Sequence, residues 1–200
     1  LVDTAPAAIW FTYDRSSCRA AANSYARKLF RLDAAEDEAL AELSELPLKH
    51  VRLYQNDAPL TDADALPLRR AARGEHVQGE EIEARFDDEK SLCLMVNASP
   101  MRDAAGQIVG AVSVCVDITP RKRAELSLRE SEERFHIAVD AVPDIVFMQR
   151  SDGFYEYINP RFSDLTGLPA SEAEGFGWQR AVHSDDLGPL LARWAEAVRR

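Results

Sequence analysis

The sequence has no long hydrophobic segment. No apolar run approaches the roughly 20 residues that are needed to cross a bilayer. The opening segment, Leu1–Pro6, lacks the charged and hydrophobic regions of a signal peptide, and it has no initiator Met, so we expect it to be cut from a longer chain. These absences favour a cytoplasmic segment. This expectation holds also for a parent protein that is anchored in the membrane by another segment.

Cysteine is scarce and unpaired. Cys18, Cys93 and Cys115 are an odd number, and no two of them form a CxxC pair. An odd number of cysteines without a CxxC pair does not indicate a disulfide framework. We therefore expect reduced, structural thiols, as is usual in the cytosol.

Positive charge is in deficit. The 200 residues carry a formal net charge of −10, with the acidic residues spread along the chain. Nucleic acids and anionic membrane surfaces would repel such a chain, so neither is expected as a partner. Apolar residues make up 46% and charged residues 29%, which is the balance of a globular protein of one or two domains.

The first half of the chain reads as two strands followed by helices. The aromatic and β-branched segment Ile9–Tyr13 predicts a strand, and residues 18–22 predict a second, short one. Asn23 then begins a helical run, since its side chain can cap exposed helix amides. Residues 62–73 predict another helix, which stops at Gly74.

Three further strands follow. Segments 77–86, 91–99 and 110–118 are apolar, β-branched or alternating, and short turns join them into an antiparallel meander. The order β-β-α-α-β-β-β predicts an α+β domain over residues 1–118, with a five-stranded antiparallel sheet and helices on one face.

A charged helix is predicted after the last strand. Residues 119–138 contain no Gly, and Pro120 stands where Pro starts helices. Ala124, Leu128 and Phe135 belong to a heptad-like seam, so this linker helix is expected to pair with a second copy.

An internal repeat follows the linker. Ile9-Trp10-Phe11 is answered by Ile145-Val146-Phe147, and Asn23 by Asn159, each 136 residues further on. Residues 139–200 therefore predict the N-terminal part of a second domain of the same kind, without its three meander strands.

These segments resemble the PAS family. Residues 99–110 are similar to the closing hairpin of PAS domains, and Asp117-Ile118-Thr119 with the basic residues after it resembles the exit into the signalling helix. Residues 157–167 and His183-Ser184-Asp185-Asp186 are similar to the front half of another PAS domain. The resemblance implies a sensory module, usually of a bacterial histidine kinase, less often of a cyclic-di-GMP cyclase or phosphodiesterase.

The resemblance also assigns candidate site residues. Asp117, Ile118 and Thr119 match the positions that couple the last strand to the exit helix, and a carboxylate there suits the helix N-terminus. A simple N-terminal cap is the alternative role. We expect a ligand pocket or core on the helix-covered side of the sheet, and its candidate residues are Ile9, Phe11, Tyr25, Leu29, Met95 and Val114.

Cofactor sites find less support. His50, His76, His136 and His183 are not on an expected pocket helix, which disfavours haem. The three cysteines lack the surroundings of a photoreactive flavin thiol and are expected to pack as small hydrophobes. Asp87, Asp88 and Glu89 are expected in a solvated turn. No metal-ligand cluster and no nucleophile–base pair stands out.

The sequence thus predicts a non-catalytic sensory and dimerisation module. A small ligand or a partner would act on the first domain, and the linker helix would carry the signal to an output domain, most simply a histidine kinase. The alternative is a structural dimer spacer that binds no ligand.

Overall fold

The computed structural model describes residues 5–13, 19–32, 41–42 and 50–198. The chain divides into two compact units, Leu1–Glu125 and Leu126–Arg200, hereafter unit 1 and unit 2. The boundary between them falls inside the helix that was predicted as the linker. Among the residues just given, no helix has the length and apolar character needed to cross a membrane.

Unit 1 is built on one antiparallel sheet. Its strands are β1 (Ala8–Thr12), β2 (Arg19–Ala22), β3 (Ala41–Glu42), β4 (Val51–Gln55), β5 (Ala58–Pro59), β6 (Val77–Phe86), β7 (Ser91–Arg102) and β8 (Ile108–Asp117). Hydrogen bonds join them in the order β3-β2-β1-β8-β7-β6-β4-β5. The five predicted strands are contiguous in this order, which confirms the α+β prediction. Three short strands that the sequence did not predict extend the two edges.

Two short helices belong to unit 1 in its described part. Helix α1 spans Ser24–Phe30, and the side-chain oxygen of Asn23 accepts a 2.9 Å hydrogen bond from the Ala26 amide, as predicted. The single helix predicted over 62–73 is wrong in one respect, because it is broken into a 3₁₀ turn, Ala63–Ala65, and helix α2, Pro67–Ala72. Proline disfavours helical geometry in the residue before it, and Leu66 is accordingly extended.

The helix-covered side of the sheet forms the core of unit 1. Strand alternation directs Ala8, Trp10 and Thr12 of β1 to this side. The Trp10 ring meets Phe30 of α1 edge-on, with ring centroids 5.5 Å apart. The main buried cluster consists of Ala8, Ala26, Phe30, Val51, Ile82, Ala84, Phe86, Leu94, Val96 and Cys115.

The opposite side of the sheet, hereafter the outer face, carries residues that were predicted to lie under the helices. Ile9 and Phe11 alternate with Trp10 on β1, so both lie on the outer face. Val114, the partner of Ile9 on β8, and Met95 of β7 lie on the same face. The prediction that Ile9 and Phe11 lie on the helix-covered side is therefore wrong. Adjacent residues of a strand face opposite ways, so Trp10 rather than Phe11 lies under the helices.

The two copies of the internal repeat differ in the register of their first strands. Strand β10 lies 136 residues after β2, but the first strand of the second copy is shifted by one residue relative to this offset. Asn23 accepts a hydrogen bond from the Ile9 amide, and its counterpart Asn159 accepts from Val146 rather than from Ile145. A one-residue shift exchanges the two faces of a strand.

Unit 2 pairs a two-stranded hairpin with helices. The strands are β9 (Phe147–Gln149) and β10 (Tyr155–Ile158), and the helices after them are α4 (Arg161–Thr166), α5 (Ala170–Ala173) and α6 (Ser184–Val198), with a 3₁₀ turn at Gly177–Ala181. Tyr155, Ile158, Phe162, Ala173 and Trp178 form a buried cluster, against which Leu187 and Leu191 of α6 pack. Helices therefore cover one face of this hairpin and provide it with a core.

Candidate functional site

The junction between β8 and the long helix α3 (Thr119–Asp140) is held by hydrogen bonds to β7. The Cys93 amide donates to the Thr119 hydroxyl at 2.8 Å, and the Ile118 amide donates to the Cys93 carbonyl at 2.8 Å. Asp117 accepts from the Thr119 amide, also at 2.8 Å. Of the residues that were predicted as a relay, Ile118 and Thr119 thus bond to Cys93 of β7, and Asp117 bonds to the Thr119 amide.

Burial makes this arrangement specific. Ile118 and Thr119 are 7% and 8% exposed, respectively, so the Thr119 hydroxyl has little access to water. A buried hydroxyl or amide that loses its hydrogen-bond partner costs free energy. The bond between the Cys93 amide and the Thr119 hydroxyl therefore favours this position of the helix. The first turn of α3 cannot move away from β7 without breaking these bonds.

Charged side chains provide a second connection. Lys122 in the first turn of α3 forms a 2.7 Å ion pair with Glu81 of β6, and Arg121 lies 3.6 Å from the same carboxylate. The hydrogen bond that Lys122 donates to Glu81 raises the pKa of Lys122, and burial raises the pKa of the Cys93 thiol. Sequence reasoning did not select Glu81, because it lies about 40 residues from its partners and only the β6–β7–β8 register brings them together.

The predicted pocket residues separate into two groups. Tyr25 and Leu29 of α1 pack against the main core of unit 1 together with Trp10. Ile9, Phe11, Met95 and Val114 lie on the outer face instead, so the structure does not bring the six together. Trp10 lies on the helix-covered side of β1, where Phe11 was expected.

The seam residues Ala124, Leu128 and Phe135 all lie on α3 with exposed side chains. Leu128 is 61% and Phe135 is 40% exposed. Phe135 belongs to the part of α3 that lies in unit 2, where its ring is 5.9 Å from Tyr157.

The residues weighed for cofactor binding are scattered. His50 Nε2 lies 2.9 Å from the Phe30 carbonyl, and His76, His136 and His183 are exposed. Cys93 and Cys115 lie on β7 and β8, while Cys18 falls outside the described residues. Across the described ranges, no group of three or more His, Cys, Asp or Glu side chains could hold a metal ion.

The acidic triplet is a turn, as predicted. Asp87, Asp88 and Glu89 are exposed between β6 and β7. Asp88 pairs with Arg31 at 2.9 Å, and this guanidinium lowers the pKa of the Asp88 carboxyl.

Comparison with known proteins identifies the family. A model of the PAS fold matches residues 2–123, and a PAS domain model matches residues 133–199. This chain belongs to the PAS family. The two matches correspond to the two copies of the internal repeat, and the β8–α3 junction lies within the first PAS match.

Named relatives are much longer than this chain. Protein y4lL of Sinorhizobium fredii is 29% identical over 156 residues, which cover 69% of this chain and 18% of that protein. Two-component sensor PprA of Pseudomonas aeruginosa is 28% identical over 96 residues, covering 48% and 10%, respectively. This chain thus spans less than a fifth of the length of either relative. Among solved structures, the PAS domain of Bordetella pertussis BvgS has a TM-score of 0.46 at 18% identity, over 66% of this chain and 92% of that domain.

Proposed function

We propose that unit 1 is a non-catalytic sensory and dimerisation module whose state is passed through Asp117, Ile118 and Thr119 into α3. The observation that carries this proposal is the pair of hydrogen bonds at Cys93, whose carbonyl accepts from the Ile118 amide and whose amide donates to the Thr119 hydroxyl. Because these bonds join the sheet to the first turn of the helix, a displacement of β7 relative to β8 would displace α3. Two discrete poses of the helix would then be populated according to the input.

The output domain lies outside these 200 residues in this proposal, and a cytoplasmic histidine kinase is its most economical form. The name of the relative PprA, a two-component sensor, supports that class. A signal of this kind needs no reacting group in the PAS unit itself.

The input would act on the helix-covered side of unit 1. Tyr25 and Leu29 of α1 and Trp10 of β1 pack there against the core. A small molecule or a partner that changed their packing would therefore shift β1 and its neighbour β8. Neither haem nor a photoreactive flavin is part of the proposal.

The outer face would form a homodimer, together with Ala124 and Leu128 of the α3 seam, whereas Phe135 contacts Tyr157 within unit 2. Ile9, Phe11, Val112 and Val114 are partly exposed apolar residues on adjacent strands, and Val116 is 41% exposed. Contiguous exposed apolar surface marks interaction sites. The same observation supports a second candidate function, a dimer spacer that binds no ligand.

The test is made in the full-length protein, by measuring output with and without input. Asp117→Ala removes the acceptor of the Thr119 amide, so we expect output to become independent of input while the protein remains folded. Asp103→Ala is the matched control, since Asp103 caps the turn between β7 and β8 at the far end of the strands. A normal input response in Asp117→Ala would refute the relay and leave the spacer as the better account.

A further inference from the structure

A groove lies in unit 2 between the C-terminal half of α3 and the outer side of the β9–β10 hairpin. Its volume is about 560 Å³, and Phe135, His136, Met148 and Tyr157 line it together with the carboxylates of Glu132 and Glu156. Small-molecule sites in proteins commonly occupy about 300–1,000 Å³. The groove is thus large enough for a small organic ligand.

Three rings meet in this groove. Tyr157 contacts Phe135 and His136 edge-on, with ring centroids 5.9 and 5.2 Å apart, respectively. An edge-to-face contact covers a face of only one ring in each pair, and Phe135 and Met148 are 40% and 44% exposed, so apolar and ring surface stays open to the groove. Ring faces carry the negative lobe of the aromatic quadrupole, to which cations are attracted.

Negative charges outnumber positive charges around the groove. Glu132 and Glu156 line it, and Asp140 accepts a 2.7 Å hydrogen bond from the Tyr157 hydroxyl. The nearby cation Arg150 is paired with Glu156 at 2.6 Å. The carboxylates around the groove therefore outnumber the cations. The hydrogen bond that Tyr157 donates to Asp140 also increases the electron density of the Tyr157 ring.

We propose that this groove binds a small organic cation with apolar substituents, such as a quaternary ammonium group. The ring faces and Met148 would contact the alkyl groups, while Glu132 would neutralise the charge. The charge of the groove excludes anions as preferred ligands, and the rings favour a weakly hydrated cation over Na⁺ or K⁺. This site does not depend on the relay proposed for unit 1.

A bound cation would also hold α3 and the hairpin together. Phe135 and His136 belong to the helix, whereas Met148 and Tyr157 belong to the hairpin. A ligand that contacts both would favour the conformation in which the C-terminal part of α3 lies against β9 and β10.

The experiment titrates the intact chain with choline chloride and follows it by NMR at constant ionic strength. The matched probe is 3,3-dimethylbutan-1-ol, in which a carbon atom replaces the quaternary nitrogen, so that shape is kept and charge is lost. We expect saturable shifts at Phe135 and Tyr157 with choline, and binding at least about fivefold weaker for the alcohol.

Variants distinguish the groove from the rest of the surface. Phe135→Leu and Glu132→Gln should each weaken choline binding about threefold or more, because each removes one contact with the cation. Glu130→Gln is the control, since Glu130 is an exposed acid on the opposite side of the same helix and does not line the groove. Both glutamate variants keep a polar helix surface, so folding is not at issue.

Two results would overturn the proposal. Equal binding of choline and the neutral alcohol would show an unselective apolar groove. The absence of saturable shifts up to about 50 mM choline would mean that no quaternary ammonium site exists here, because aromatic cation sites give measurable binding in that range.

Discussion

At the scale of single residues, the two described cysteines differ in their surroundings. Cys115 of β8 is buried in the core of unit 1, between Ala8 of β1 and Val96 of β7, and burial raises the pKa of its thiol to about 11. Cys93 is only half buried, and its backbone rather than its thiol holds the junction. Both thiols are expected to stay protonated at neutral pH.

Cys115 should make stability depend on pH under alkaline conditions. Its folded pKa lies above the unperturbed value of 9.0, so the unfolded chain loses this proton first and stability falls as pH rises from about 9 to 11. The loss should be about 2 kcal/mol. It is measured by urea unfolding at several pH values. Cys115→Ala should lack this component, and an unchanged pH dependence in that variant would show that another group causes it.

The face of β1 that is buried cannot be predicted from the residues of β1 alone. The alternation of β6 was predicted correctly, because Ile82, Ala84 and Phe86 alternate with charged residues and only one face can be buried. Ile9, Trp10 and Phe11 are all apolar, so no polar residue marks the solvent side. Their direction depends on which side the helices cover, which is a long-range property.

At the scale of elements, the first turn of α3 is attached to the sheet at two places. Thr119 bonds to β7, and Lys122 pairs with Glu81 of β6. The sequence predicted the helix, its start and the place of Thr119 at the junction, since these depend on local residues, while the relay role of Thr119 stays a prediction. It did not predict the partners on β6 and β7, because their proximity depends on strand register.

Thr119→Val should loosen this attachment without removing the helix. Valine keeps the shape of threonine but cannot accept a hydrogen bond, so the partly buried Cys93 amide is left unpaired at a cost of about 1–2 kcal/mol. Amide exchange at Cys93 should become about tenfold faster, measured by hydrogen exchange with NMR.

Thr61→Val is the control for that substitution, because Thr61 is exposed in the segment before the 3₁₀ turn. Unchanged exchange at Cys93 in Thr119→Val would show that the hydroxyl does not hold the junction.

At the scale of the whole molecule, the same asparagine arrangement occurs in both units. Asn23 bonds to the amides of Ile9 and Ala26 and to the Ala7 carbonyl, and it is 2% exposed. Asn159 is fully buried and bonds to the Val146 amide and the Val139 and Asp144 carbonyls. Each asparagine joins the entry of its first strand to the end of its second.

Asn23→Ala and Asn159→Ala should therefore act on different units. Each removes several buried hydrogen bonds, so we expect a loss of about 2–4 kcal/mol in the unit concerned. Hydrogen exchange with mass spectrometry measures protection separately in the two units. Asn97→Ala is the control, since Asn97 is exposed and its bond to the Gly79 amide can be replaced by water.

Loss of protection in both units from either substitution would show that they unfold as one. The pairing of each asparagine was predictable in part, because the repeat placed both before a helix. The length of the turn between the two strands was not predictable. Because of it, Asn159 bonds to the Val146 amide, whereas the repeat would place Ile145 there.

The ion pair between Glu81 and Lys122 makes the helix attachment depend on the ionic medium. The two side chains are 47% and 40% exposed, so dissolved salt screens their attraction, with a Debye length that shortens from about 10 Å at 0.1 M to about 3 Å at 1 M. The hydrogen bonds of Thr119 are shielded from that effect. A rise in ionic strength would weaken the contact with β6 and leave the contact with β7, so salt would act on the attachment of the helix through one strand only.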